Sequence, residues 1–163
     1  MTGEAPAIFV ALEQSNLGAT IRQSPWLFPV ANVGHILSLA VFAGALAVMD
    51  IRLLGGLAAT SPAHVLMRAR GIAIAAFVML AATGFLLFTA EASHLILNPV
   101  FQIKLVLIGL GLLNLALFEF GVKRSVVDLS PGVAMPASAK TAGLMSLAIW
   151  LVVAACGRTI AYF

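Results

Sequence analysis

The stretch at residues 26–49 reads WLFPVANVGHILSLAVFAGALAVM, and it decides the fold. It contains no Asp, Glu, Lys or Arg, and it ends immediately before Asp50. About 20 residues at 1.5 Å rise cross the ~30 Å of bilayer hydrocarbon, so this run predicts a transmembrane helix. One histidine, His35, lies inside the run, where an imidazole is costly without a partner or a ligand. The stretch therefore predicts a membrane protein and, at His35, a candidate site.

Three further apolar segments of near-spanning length follow, at residues 71–90, 99–118 and 141–157, and only Lys104 interrupts them. Because a backbone in lipid has no water to bond, each segment is expected to be a helix. The connections at 50–70, 91–98 and 119–140 are short, which favours antiparallel neighbours. The sequence therefore predicts an all-α protein: a four-transmembrane-helix up-down bundle formed by residues 25–163.

Residues 1–24 are expected to form an N-terminal interfacial segment. Ile8, Phe9 and Leu12 fall on one helical face with Glu13 beside it, which is typical of a short helix lying in the membrane interface. The apolar stretch at 7–12 is too short for a cleavable signal peptide and lacks a basic region before it.

The composition supports the membrane class, because 62% of the residues are hydrophobic and 9% are charged, against about 25% charged in soluble domains. The net charge of +3 comes from scattered basic residues, so no nucleic-acid partner is expected. The single cysteine, Cys156, excludes an internal disulfide. No phosphate loop, nucleophile elbow or zinc motif is present, which argues against hydrolase or ATPase chemistry and leaves enzymatic activity open.

The distribution of Lys and Arg predicts the orientation of the bundle. The loops at 50–70 and 119–140 carry most of these residues: Arg52, Arg68, Arg70, Lys123, Arg124 and Lys140. Such loops face the cytoplasm, so both termini are expected on the outer side.

Polar side chains are expected to converge in the outer third of the bundle. Helical rise places His35 about 22 Å above Asp50, and Lys104 at a similar depth. Asn32 lies one turn above His35 on the same face. Arg158, with Cys156 beside it, falls near this layer in the last helix.

Two readings of the outer cations stay open. Lys104 and Arg158 can snorkel to water along their long side chains. Alternatively, together with Arg22 at the entrance of the first span, they hold an anionic group such as haem propionates or a quinone head group.

His35 and His94 are the candidate axial ligands of a b-type haem, because facing helices of a bundle supply histidines to such a cofactor. By helical rise the two imidazoles differ by about 14 Å in depth, so sharing one iron requires the second helix to shift or residues 91–98 to fold back. The alternatives are a loop position for His94, and a hydrogen bond from His35 to a carbonyl, Asn32 or Glu91.

Copper is the second metal considered, because His35 and Cys156 could offer one nitrogen and one sulfur at one depth. At the inner side, Asp50, Arg52, Asn114 and Glu119 are expected to form an ion network that ties the helix ends together. A proton route through these carboxylates is the alternative.

The runs IRQSPWLFPVANVGHILSLAVFAGALAVMDIRLLG at 21–55 and NPVFQIKLVLIGLGLLN at 98–114 resemble an uncharacterised family of small four-helix bacterial inner-membrane proteins. That family is distantly similar to the copper-resistance D membrane domain and to cytochrome b561-type bundles. Apart from packing residues, the resemblance involves His35, Asp50, Arg52 and Lys104. It implies copper handling in the first case, and haem b with electron exchange with quinone in the second. The chain lacks the membrane-embedded histidines of a two-haem protein, so at most one bis-histidine haem is expected.

The function predicted first is a membrane cytochrome-like protein that passes electrons between a periplasmic redox partner and quinone. It would lie in the bacterial inner membrane with both termini periplasmic. The alternatives are a copper-handling membrane protein and a non-catalytic subunit of a larger membrane complex.

Overall fold

The computed structural model describes residues 4–162, of which helices form the great majority and strands none. Eight α-helices follow one another: α1 (Ala7–Glu13), α2 (Asn16–Gln23), α3 (Leu27–Leu53), α4 (Pro62–Ala90), α5 (Ala92–Leu97), α6 (Pro99–Leu117), α7 (Arg124–Val127) and α8 (Ala137–Thr159). A π-helical turn, Phe118–Val122, extends α6, and a 3-10 turn, Ile160–Tyr162, follows α8. Residues 1–3 of the predicted N-terminal segment, and Phe163, lie outside the described part of the chain.

Four of these helices, α3, α4, α6 with its π turn, and α8, are long and apolar enough to cross a membrane. The predicted all-α class with four spanning helices is therefore confirmed, and the protein is a multi-pass membrane protein. We call the end of the bundle that carries α1, α2 and α5 the terminal end. The opposite end, with residues 54–61 and 123–136, is the loop end.

The four long helices are arranged as an open arc in the order α4, α3, α8, α6. The α4 helix packs along α3, α3 packs on α8, and α8 packs along α6. Within residues 4–162, α4 and α6 do not form a comparable interface. A cleft facing the lipid therefore separates the two ends of the arc.

Two glycines make close packing within the arc possible. A Cβ at Gly143 on α8 would lie 3.2 Å from the backbone oxygen of Asp50 on α3, and a Cβ at Gly111 on α6 would lie 2.9 Å from the ring of Trp150. Small residues let membrane helices approach closely in this way. The indole of Trp150 lies across Gly111 and contacts Phe42 edge-on, with ring centroids 4.7 Å apart.

The helices extend beyond the predicted spans at the loop end. Helix α4 begins at Pro62 rather than at residue 71, and α3 continues to Leu53. Proline suits a first helical position because its missing N–H would be unpaired there, and Gly55, with φ +104°, ends α3. Hydropathy marks the part of a helix inside hydrocarbon, whereas backbone hydrogen bonds continue the helix into the polar region.

The N-terminal segment folds as two short helices instead of the one predicted. Arg22 on α2 donates to the backbone oxygens of Glu13 (2.7 Å) and Ala90 (3.0 Å), which joins the end of α1 to the end of α4. Phe9 contacts Phe88 edge-on. Helices α1 and α2 pack on the terminal end of the bundle. The domain boundary predicted between residues 1–24 and 25–163 stays a prediction.

Candidate functional site

The terminal end contains a cavity of about 620 Å³, which we call the terminal cavity. Its walls come from the start of α3, the end of α4, α5 and the end of α8. The lining residues are Phe28, Asn32, Leu87, Glu91, His94, Leu95, Gly157, Ile160 and Tyr162. The cavity thus combines apolar side chains with one imidazole, one amide, one carboxyl and one phenol group, and its exposed lining is about as polar as it is apolar.

The position of His94 depends on a break in the helix at Glu91. There the backbone leaves helical geometry, with φ −140° and ψ 34°, and α5 begins in a new direction. The loop predicted at 91–98 is therefore mostly helical. Asn98 follows α5 and caps α6. Its side-chain oxygen accepts hydrogen bonds from the backbone N–H groups of Val100 and Phe101.

A carboxylate from the N-terminal segment holds α5 in place. Glu13 accepts hydrogen bonds from the backbone N–H of Ser93 (2.8 Å) and from the Ser93 hydroxyl (2.5 Å). These bonds favour the ionised form and hold the pKa of Glu13 below its usual range. The residue next to His94 is therefore anchored from a segment 80 positions earlier in the chain.

His35 lies deeper and is bonded to α4. Its Nδ1 lies 3.0 Å from the hydroxyl oxygen of Thr83, and that hydroxyl donates to the backbone oxygen of Met79 at 2.6 Å. Since the hydroxyl proton is used there, Nδ1 of His35 is the donor and Nε2 is left as an acceptor. The predicted partners were a carbonyl, Asn32 or Glu91, and the structure gives the hydroxyl of Thr83 together with the nearby backbone oxygen of Leu80.

The structure does not bring His35 and His94 together. The imidazole of His35 is packed between α3 and α4, with its Cε1 3.1 Å from the place of a Cβ on Gly84, and it does not line the terminal cavity. Thr83 marks the depth of His35, and α4 rises about 10 Å from there to Ala90 before His94 is reached. The two members of the predicted axial pair therefore do not line one cavity.

Lys104 is one of the polar residues predicted to converge in the outer third of the bundle, and it lies beside the terminal cavity. Its Nζ lies 3.6 Å from the place of a Cβ on Gly157, a lining residue of the terminal cavity. It is near enough to His35 and Cys156 to interact with both electrostatically. Within the described chain no carboxylate forms a salt bridge with Lys104. Lys104 thus connects the predicted positions of His35 and Cys156 electrostatically.

The other predicted site residues differ in the contacts that their polar groups already make. The guanidinium of Arg158 lies over the ring of Tyr162, 4.9 Å from its centroid, at the edge of the terminal cavity. Asn32 lines that cavity. Arg22 is engaged with two backbone oxygens, so its predicted role as a propionate anchor competes with a structural one.

At the loop end the predicted ion network is wrong. Glu119 bonds to Arg70 at 3.0 Å and to Lys123 at 2.6 Å, not to Arg52. Arg52 is buried and donates to the backbone oxygen of Thr60 at 3.2 Å. The reason is geometric, because the π turn brings Glu119 toward α4 rather than toward α3.

A metal site is not preassembled, since the described residues contain no group of three or more His, Cys, Asp or Glu side chains that could hold an ion. The sequence analysis missed Thr83 and Tyr162, and also Phe28 in the cavity wall and the contact between Glu13 and Ser93. The signal available for Thr83 was a hydroxyl residue in an otherwise apolar span.

Comparisons with known proteins place the bundle in a family. No curated protein and no solved structure matches the chain. Residues 14–163, which include α2 and all four spanning helices, match a family of unknown function, DUF6644. The chain therefore belongs to the DUF6644 family.

Proposed function

We propose that this protein is a membrane electron-transfer protein that holds one b-type haem in the terminal cavity and passes electrons between a periplasmic redox partner and quinone. The terminal cavity is the observation that supports this proposal. Its volume of about 620 Å³ lies within the range of ligand and cofactor sites, about 300–1,000 Å³. Its lining combines apolar walls with a nitrogen ligand, as haem sites do.

The residues present fit a haem with a single histidine ligand. His94 lines the cavity and would be that ligand, and Arg158 at the edge would pair with a propionate. Phe28 and Tyr162 supply apolar walls. A second bond from His35 does not fit, because its ring is packed against Gly84 outside the cavity. When bound, the haem would supply one-electron redox chemistry.

The other residues of the chain would position and stabilise this group. The bonds from Ser93 to Glu13 fix α5 and hence the direction of His94. The ammonium of Lys104, next to Gly157, places a positive charge behind the cavity. A positive charge in a medium of low dielectric constant favours an anionic group nearby.

Copper handling is the second candidate, because His35 and Cys156 both lie near Lys104. The ammonium repels a cation placed between these two ligands, so the geometry favours this proposal less. The third candidate, a non-catalytic subunit of a larger complex, has no specific observation in its favour. For all three we propose the bacterial inner membrane, with both termini periplasmic.

An optical spectrum tests the haem proposal. Full-length protein expressed with a supply of haem is expected to show a Soret band, and His94→Ala is expected to remove it. His64→Ala is the matched control, because His64 is exposed at the loop end. A wild-type protein without a Soret band, or a band that survives His94→Ala, contradicts the proposal. Metal analysis of the same sample, with and without His35→Ala, tests copper.

A further inference from the structure

A second cavity lies inside the arc, nearer the loop end, and we call it the lateral cavity. It encloses about 160 Å³ between α3, α4, α6 and α8. An engineered cavity of about 150 Å³ in another protein binds benzene, so the lateral cavity has room for one six-membered ring. Phe42, Phe77 and Trp150 form an aromatic wall, with ring centroids 4.7 to 6.1 Å apart.

A buried carboxylate faces this aromatic wall. Asp50 lines the lateral cavity, is 3% exposed, and its Oδ2 has no hydrogen-bond partner in the described chain. The hydroxyl of Ser146 lies beside the same carboxyl group. An unpaired buried oxygen is costly, and native structures rarely leave one without a partner. Oδ2 of Asp50 is therefore short of one hydrogen-bond partner.

The lateral cavity is reached from the bilayer. It extends toward the cleft between α4 and α6, where Ile74 and Val78 line one side and Leu112 lines the other. These side chains are also exposed on the lipid-facing surface. A molecule that enters by this route is soluble in lipid.

The route of entry selects the donor. The guanidinium of Arg70 lines the loop end of the cavity, but it is bonded to Glu119 at 3.0 Å and is therefore already paired. A charged group is costly to carry through lipid, so a ligand that enters from the bilayer brings a neutral donor such as a hydroxyl. The amide nitrogen of Asn114 donates to Ala142 at 3.0 Å, which leaves the amide oxygen as a second acceptor on the lining.

We propose that the lateral cavity binds a lipid-soluble phenol, the head group of a hydroquinone included, whose O–H donates to Oδ2 of Asp50. The ring would stack among Phe42, Phe77 and Trp150, and its apolar substituents would leave between α4 and α6. The identification with the quinone pool rests on the proposed function. Binding of the phenol itself does not require a haem.

Tryptophan fluorescence of full-length protein in lipid nanodiscs tests this proposal. The chain has two tryptophans, so Trp26→Phe leaves Trp150, in the cavity wall, as the reporter. The probes are a hydroquinone with a decyl chain and its dimethyl ether, which lacks the O–H donors. The hydroquinone is expected to quench Trp150 saturably and to bind about tenfold or more tightly than the ether, because a hydrogen bond to a carboxylate is lost in the ether.

Two variants locate the site. Asp50→Ala is expected to reduce the affinity for the hydroquinone to that for the ether. Leu112→Phe narrows the entrance and is expected to weaken binding. Leu113→Phe, the matched control, changes a neighbouring leucine that is exposed to lipid but does not line the cavity, and should have no effect.

Equal affinities for the two probes overturn the proposal, and so does unchanged hydroquinone binding in folded Asp50→Ala protein. If Asp50→Ala does not fold, the comparison of the two probes and the pair Leu112→Phe and Leu113→Phe decide the matter. Because the readout is fluorescence of Trp150, a missing Soret band leaves this result unaffected, and the two proposals can fail separately.

Discussion

The hydroxyl of Thr83 determines which ring nitrogen of His35 carries the proton. Thr83 donates to the backbone oxygen of Met79 and so accepts from Nδ1 of His35 at 3.0 Å. The imidazole is therefore bonded between α3 and α4, with Nε2 directed away from Thr83. A histidine inside a predicted span needs such a partner, because no water is available there.

Replacement of Thr83 by Val removes this partner while keeping the shape of the side chain. We expect the free energy of unfolding to fall by about 1–2 kcal/mol, as for a lost buried hydrogen bond. The preference for the Nδ1–H tautomer should also disappear. Thr141→Val is the control, because its exposed hydroxyl bonds only to its own helix. Nitrogen NMR of labelled histidine, together with thermal unfolding in detergent, measures both effects; an Nε2–H tautomer in the wild type would refute the assignment.

The contact between Glu13 and Ser93 is expected to depend on pH. The folded state lowers the pKa of Glu13 below the ordinary value of 4.5. The contact therefore stabilises the folded protein fully above pH 4.5, and this stabilisation is lost as the pH falls through the lower folded value. Hydrogen exchange at the amide of Ser93, corrected for its intrinsic pH dependence, should show protection lost over this window.

Two variants separate this effect from general acid unfolding. Glu13→Gln should reduce the protection of Ser93 at neutral pH and remove its pH dependence. Glu4→Gln, at an exposed position before α1, should behave as the wild type. Protection that is unchanged in Glu13→Gln would show that α5 is held by other contacts.

Gly111 is expected to tolerate no side chain. A Cβ there would lie 2.9 Å from the ring of Trp150, so Gly111→Ala must displace the indole from Phe42. We expect a loss of about 1–3 kcal/mol, as for overpacking in a core. Gly109→Ala is the control. A Cβ at Gly109 would have no atom within 4 Å, so this change should be neutral or stabilising. Thermal unfolding and the emission maximum of Trp150 measure the difference, and equal stabilities would contradict the packing.

The orientation of the bundle can be tested with single cysteines in a Cys156→Ser background, since Cys156 is the only cysteine in the chain. We expect a membrane-impermeant maleimide to label Gln14→Cys, at the terminal end, in intact bacterial cells. Ser130→Cys, at the loop end, should react only after permeabilisation, because the basic loops face the cytoplasm. The opposite pattern would invert the proposed topology.

Much of the fold could be predicted from hydropathy alone. Four apolar runs predict four helices, because lipid leaves the backbone no other way to pair its polar groups. At the loop end the predicted spans are shorter than the helices, because α4 continues through the charged residues Arg68 and Arg70, where hydropathy is low. The π turn and the helix α5 are too short to show a hydrophobic period and were missed.

The site was predicted less completely, because depth along a helix can be counted but rotation about it cannot. Counting placed His35, Lys104 and Cys156 at similar depth, and in the structure Lys104 lies within electrostatic range of the other two. Counting could not show that Asp50 faces an aromatic wall across the arc, since that depends on how α3, α4 and α8 are turned toward one another.

The wide turn at Phe118–Val122 lets one continuous segment contact two different neighbours. Lys123 bonds backward over five residues, from its N–H to the oxygen of Phe118 at 2.8 Å, so every side chain that follows is rotated relative to an uninterrupted α-helix. Before the turn α6 lies along α8, and after it α7 packs on α4 with Val126 fully covered. Removing a single amino acid within this turn would straighten the helix and weaken the link between Arg70 and Glu119, which would leave the stacked rings of Phe88 and Phe101 as a contact between α4 and α6.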